Sequence, residues 1–136
     1  MAPDLNPDGP HSPDRTRDAA NILVAAIRYL NYATMYGSGG LEYPADVYAL
    51  LSDVAAAFQA APQLLDQAGA FLRAQAAAGQ AGDDQGRDPV AVAAEASTEL
   101  EVAGWKAGDA WLMVKRAQGL ISGLHAKRGA PEVPGA

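Results

Sequence analysis

Between Ala93 and Leu124, two sets of positions spaced seven residues apart carry no polar side chain. The first set is Ala93, Leu100, Ala107, Val114 and Ile121. The second is Ala96, Ala103, Ala110, Ala117 and Leu124. An apolar repeat of seven, held over this length, is the pattern of a long helix that buries one seam against another helix. A strand has no use for it, because strand side chains alternate with a period of two. Asp88 is placed to cap the helix and Pro89 to open it, so the pattern predicts a helix from Asp88 or Pro89 to about His125. At a rise of 1.5 Å per residue, roughly 37 residues would extend about 55 Å.

The seam is mostly alanine. Alanine lets two backbones approach closely, but each one buried contributes little hydrophobic free energy. The larger residues Leu100, Val114, Ile121 and Leu124 are therefore expected to fix the register. Gly104, Gly108, Gly119 and Gly123 each lower helix propensity by about 1 kcal/mol relative to alanine when exposed. They point either to close contact with another helix or to local flexibility. The helix could also pair with its own copy in a dimer. Leu100, Ala103, Ala107, Ala110, Val114 and Ile121 are the candidate self-association residues.

Two further helices are legible upstream. Ser12 can cap a first helix, with Pro13 at its first position and Gly37 ending it. Ala19, Ile22, Leu23, Ala26, Leu30 and Ala33 give that helix one apolar face. A second helix opens at Pro44, with Val47, Leu50, Leu51, Val54 and Phe58 along one side. Pro62 removes an N–H and crowds the preceding turn, so a bend or a restart is expected there. Leu64, Leu65, Ala68, Phe71 and Leu72 continue the apolar pattern, and the helix should end before Gly79. Residues 79–88 read as a loop. Residues 1–13 and 129–136, rich in proline and poor in anything to bury, read as disordered tails.

The expected fold is thus all-α. It is an antiparallel bundle of three main helices over residues 14–128, with the second kinked at Pro62 and the third long.

Composition narrows the chemistry. The absence of cysteine removes disulfides, thiol catalysis and cysteine-ligated metals. A formal net charge of −6 disfavours broad attraction to nucleic acid or anionic lipid. No apolar run reaches the roughly 18 residues of a membrane span, and the N-terminus has no signal-like apolar core, so a cytoplasmic location is expected. His11 and His125 have no ligand-spaced partner. No serine sits in a nucleophile elbow, and the "GSGG" run at 37–40 matches neither a phosphate loop nor a dinucleotide fingerprint. Glu95 and Glu99 could share a helix face, but without the Glu-x-x-His pattern of helical metal sites they read as a solvated face. Neither an enzyme nor a cofactor is expected.

What stands out instead is aromatic. All five tyrosines, Tyr29, Tyr32, Tyr36, Tyr43 and Tyr48, fall within twenty residues of one another. Tyr29, Tyr32 and Tyr36 share a face beside the Ile22–Leu30 stripe, and Tyr43 and Tyr48 flank the start of the next helix. Gathered at one corner, they would either lock the bundle or present a recognition patch, since tyrosine combines contact area with low entropy cost. As a patch they are the candidate partner-binding residues. Trp111 is expected to pack in the bundle and Trp105 to be partly exposed, as an interface anchor.

The stretches "GGLEYPADVYALL" and "APQLLDQ" resemble short alanine-rich helical proteins of actinobacteria, over about residues 18–75. That resemblance implies a bacterial accessory protein, of the kind found near plasmid or integrated-element functions, and no catalytic activity. The expectation is a non-enzymatic protein-interaction or self-assembly module, binding a protein partner or itself as a homodimer. The alternative is a DNA-associated dimeric regulator using Arg15, Arg17 and Arg28.

Overall fold

A computed structural model describes residues 5–127. The protein is all-α, with helices α1 (Pro13–Ala33), α2 (Pro44–Ala77) and α3 (Pro89–Leu120), and no strand occurs among the described residues. Residues 129–136 and the first four residues of the expected N-terminal tail lie outside the described residues. The chain divides into two compact units, one running up to Tyr43 and the other comprising Pro44–His125.

In the first unit, Ser12 caps α1 by accepting the Arg15 backbone N–H at 3.1 Å, with Pro13 at the first helical position. The helix stops at Ala33, short of the expected Gly37. The reason is local. The Thr34 hydroxyl donates to the Leu30 carbonyl and the Ser38 hydroxyl to the Ala33 carbonyl, each at 2.7 Å. The Ser38 hydroxyl thus serves a carbonyl at the helix end, while the Thr34 hydroxyl adds a second donor to the Leu30 carbonyl, which already accepts the Thr34 N–H. Gly37 then takes φ +85°, a backbone conformation other residues rarely adopt. A Cβ on Gly40 would collide with the Ala33 carbonyl, so only glycine lets the chain pass there.

The second unit is an antiparallel helical hairpin of α2 and α3. Three contacts fix its register. Gln118 donates to the Tyr48 carbonyl at 3.1 Å. A Cβ on Gly104 would touch Pro62 at 3.4 Å, and one on Gly69 would press on the Ser97 Cα at 3.2 Å. The residue numbers of each pair add to the same total, so the two helices keep one alignment from end to end. On α2 the contact row is Tyr48, Ala55, Pro62, Gly69 and Ala76, seven apart. The same alignment sets Ala55, only 1% exposed, opposite Trp111. Large meets small where the helices are closest.

α2 is one continuous helix through Pro62 rather than two abutting ones. Pro62 has no N–H, so the Phe58 carbonyl one turn earlier lacks its usual helical donor. The ring faces Gly104, the one place on α3 where a missing side chain makes room for it. On α3, Asp88 caps the start by accepting the Val90 N–H at 3.1 Å, and the helix ends at Leu120 instead of near His125. There the Ser122 hydroxyl and N–H both turn back to the Gly119 carbonyl.

The α3 seam follows the repeat of seven, with a different companion row. Leu100, Ala107, Val114 and Ile121 are half-buried on the side of α3 that carries Ser97, Gly104, Trp111 and Gln118, four residues after each member of the Ala93 row. The row three residues after, expected as the companion, is more open: Ala103, Ala117 and Leu124 are exposed, and Ala96 and Ala110 are half-buried. Of the candidate self-association residues, Leu100, Ala107, Val114 and Ile121 therefore lie on the seam face within one chain. Ala103 and Ala110 lie beside it.

Gln118 is the buried polar side chain of this seam, 3% exposed, and both ends of its amide are satisfied. Its nitrogen donates to Tyr48, and its oxygen accepts from the Lys115 ammonium at 3.0 Å. No buried side-chain nitrogen or oxygen among the described residues lacks a partner, as a sound interior requires.

The connecting loop is clasped by Asp83 and Arg87. One carboxylate oxygen accepts the Arg87 backbone N–H at 2.9 Å and Nε at 3.0 Å, and the other accepts Nη2 at 2.8 Å. Held first by the guanidinium and then by the backbone N–H, the Asp83 carboxyl drops from 3.8 to about 2. The same pairing raises the Arg87 pKa.

Candidate interaction surface

No residue of α1 is buried. Of its expected stripe, Ala19, Ile22, Leu30 and Ala33 are half-buried while Leu23 and Ala26 are exposed, and Val24 and Ile27 beside it also stand exposed. Tyr29 and Tyr32 are each 73% exposed and Tyr36 is 83% exposed. Rings this open do not provide the packing a locking cluster needs. Tyr36 follows the end of α1, in the turn, so only Tyr29 and Tyr32 share the helix face proper. Tyr43 is also exposed and belongs to the same unit. Tyr48 belongs to the hairpin, where its carbonyl serves Gln118 and its ring is exposed.

The sequence spacing accounts for this surface. At about 100° per residue, Tyr29 and Tyr32 fall on the shoulder of the Ile22–Leu30 stripe, and Ile27 falls on its opposite shoulder. The result is a half-buried apolar stripe flanked by exposed aliphatic side chains on one shoulder and by phenolic rings on the other. Such a surface offers dispersion contact from its aliphatic shoulder and hydrogen bonding from its hydroxyls, the composition of protein interfaces. It holds no nucleophile, base or ligand set.

The arginines of α1 are arranged differently. Arg17 pairs with Asp14 at 3.3 Å. Arg15 lies about 160° around the helix from Arg17, so the two do not form one basic stripe with Arg28.

Elsewhere, His11 and His125 are exposed, and no group of three histidine, aspartate or glutamate side chains among the described residues could hold a metal ion. No helix of the described residues is long and apolar enough to cross a membrane. Trp105 is 63% exposed and Trp111 is half-buried. No protein-family model, curated protein or solved structure matches the chain.

The hairpin carries a second feature that periodicity alone did not reveal. An open groove of about 1230 Å³ runs between α2 and α3, floored by Pro62, Gly104 and Gly108 and edged by Trp105. The signal for it was present in the sequence as two glycines four apart beside a tryptophan.

Proposed function

We propose that the protein is a non-enzymatic protein-interaction module, an adaptor or accessory subunit, that engages a protein partner through α1. The observation that carries this reading is the exposure of large side chains on both shoulders of the α1 stripe, Leu23 and Ile27 on one and Tyr29 and Tyr32, followed by Tyr36, on the other, in a unit whose helix buries no residue of its own. Large apolar side chains left exposed mark interaction sites, and tyrosine supplies rigid contact area with a polar tip. A role beside a bacterial mobile element, in the cytoplasm, belongs to the same proposal and rests on the resemblance of residues 18–75.

The test is capture of partners by the tagged chain in its host, with nuclease treatment, followed by reconstitution with the purified partner. A stoichiometric partner should bind the native chain and be lost with Tyr29→Ser/Tyr32→Ser/Tyr36→Ser, while the helical circular dichroism and melting midpoint stay unchanged. A triple variant that melts earlier would return the tyrosines to a structural role. Retention that disappears with nuclease would favour the DNA-associated reading.

A further inference from the structure

The groove of the hairpin is a second surface, independent of α1. It extends along α2 from Gln59 to Arg73, a length of about 21 Å at the helical rise. Its rim carries Asp66 from α2, Glu101 and Asp109 from α3, and a single cation, Arg73. None of these four is held in an ion pair, unlike Asp83 and Arg87 in the loop. The groove is thus anionic and its carboxylates are uncommitted.

The floor is shaped by two glycines with different reasons to be there. Gly104 is buried against Pro62, which its Cβ would meet at 3.4 Å, the near edge of ordinary contact. Gly108, one turn on, has nothing within 4 Å of its Cβ position. Packing of α2 on α3 does not need a glycine at 108, and an exposed helix interior is weakened by one, at about 1 kcal/mol. What Gly108 does provide is clearance in the groove, beside the exposed indole of Trp105.

We propose that this groove docks a basic helical segment of a partner protein, about four turns long, whose arginine or lysine side chains meet Asp66, Glu101 and Asp109. The occupant is helical because the groove walls are helices whose backbone bonds are internally used. An extended chain would find no ladder to pair with, whereas a helix satisfies its own N–H and C=O groups. It is basic because three carboxylates line the groove with one guanidinium. That same balance disfavours a second copy, which would set like charges against each other. Trp105 supplies an aromatic anchor, and an arginine laid over it gains a cation–π contact.

The test uses the full chain and a fluorescently labelled synthetic helix of about 15 residues with arginine at every third or fourth position and alanine and leucine between. A matched peptide carries glutamate in place of arginine. By anisotropy, the arginine peptide should bind about tenfold or more tightly than the glutamate peptide, and Glu101→Lys/Asp109→Lys should remove that preference. Gly108→Leu should weaken arginine-peptide binding about tenfold or more while circular dichroism shows the helices intact. Several results would overturn the proposal. These are no binding of the arginine peptide at low ionic strength, equal binding of both peptides, and binding that Gly108→Leu leaves untouched, which would be unspecific charge attraction. Sedimentation showing a dimer that Gly108→Leu dissolves would replace the basic partner with a second copy.

Discussion

The α1 unit and the α2–α3 hairpin use opposite halves of the same alphabet. α1 carries large side chains (leucine, isoleucine, tyrosine) and buries none of its residues. The hairpin buries Ala55, Gly69, Ala76, Ala93, Gly104 and Gln118, and leaves Leu64, Phe71 and Trp105 open. Large side chains outside and small ones inside invert the usual distribution of a globular core. The hairpin gains its cohesion from close backbone approach and dispersion contact more than from buried area. Apolar area that is not spent on folding is what a binding protein has to offer.

That contrast is sharpest at Gly69. A Cβ there would sit 3.2 Å from the Ser97 Cα, and Cα is backbone that no rotamer change moves. Gly69→Leu should therefore force the helices apart and destabilise the hairpin by about 3 kcal/mol or more in urea unfolding. If it does not, the seam is softer than its spacing implies. Gln118→Ala comes next. It removes the bond to the Tyr48 carbonyl and leaves a gap, for an expected loss of about 1–2 kcal/mol by the same measurement. A third substitution reverses the direction. Gly108→Ala meets open space and should raise the melting midpoint, by the equivalent of about 0.5–1 kcal/mol. A loss at 108 would mean that close approach matters along the groove floor as well as the seam.

The smallest effect belongs to the loop. Asp83 is held by Arg87 with its carboxyl lowered from 3.8 to about 2. A folded-state pKa below the unfolded one stabilises where the carboxylate is charged in both states, and that contribution shrinks as pH falls through this interval. Acid unfolding between about pH 4 and pH 2 should thus be shallower in Asp83→Asn than in the native chain. Identical acid curves would mean that the exposed clasp is fully screened by solvent.

Much of the fold is legible in the residues because proline and periodicity mark it twice. Ser12–Pro13, Pro44 and Asp88–Pro89 each open a helix where they were expected to. The Ala93 row does lie along the seam. The companion row was misplaced for a physical reason. Apolarity was the criterion, yet the row that lines the seam also holds Ser97, Gly104 and Gln118, which an apolar filter rejects, and the Trp111 among them is passed over with the row. A serine fits opposite a glycine, and a glutamine can be buried where a helix carbonyl has a spare lone pair. The helix ends ran long in the reading because Thr34, Ser38 and Ser122 offer hydroxyls to the last carbonyls, which no periodicity records. Of the tyrosines, Tyr29 and Tyr32 lie beside the α1 stripe while Tyr36 falls past the helix end, and spacing assigns a face without saying what covers it.

One consequence of the constant alignment concerns error. Translating α3 along α2 by one heptad would again set small residues against small ones at many points. Such a seam is a ruler with few graduations. What tells the hairpin where zero lies is a handful of marks: Ser97 against Gly69, the ring of Pro62 against Gly104, and the amide of Gln118 on the Tyr48 carbonyl. Gln118 is the one mark that reads direction as well as distance, because its amide meets a carbonyl of α2 at one end and a lysine of α3 at the other.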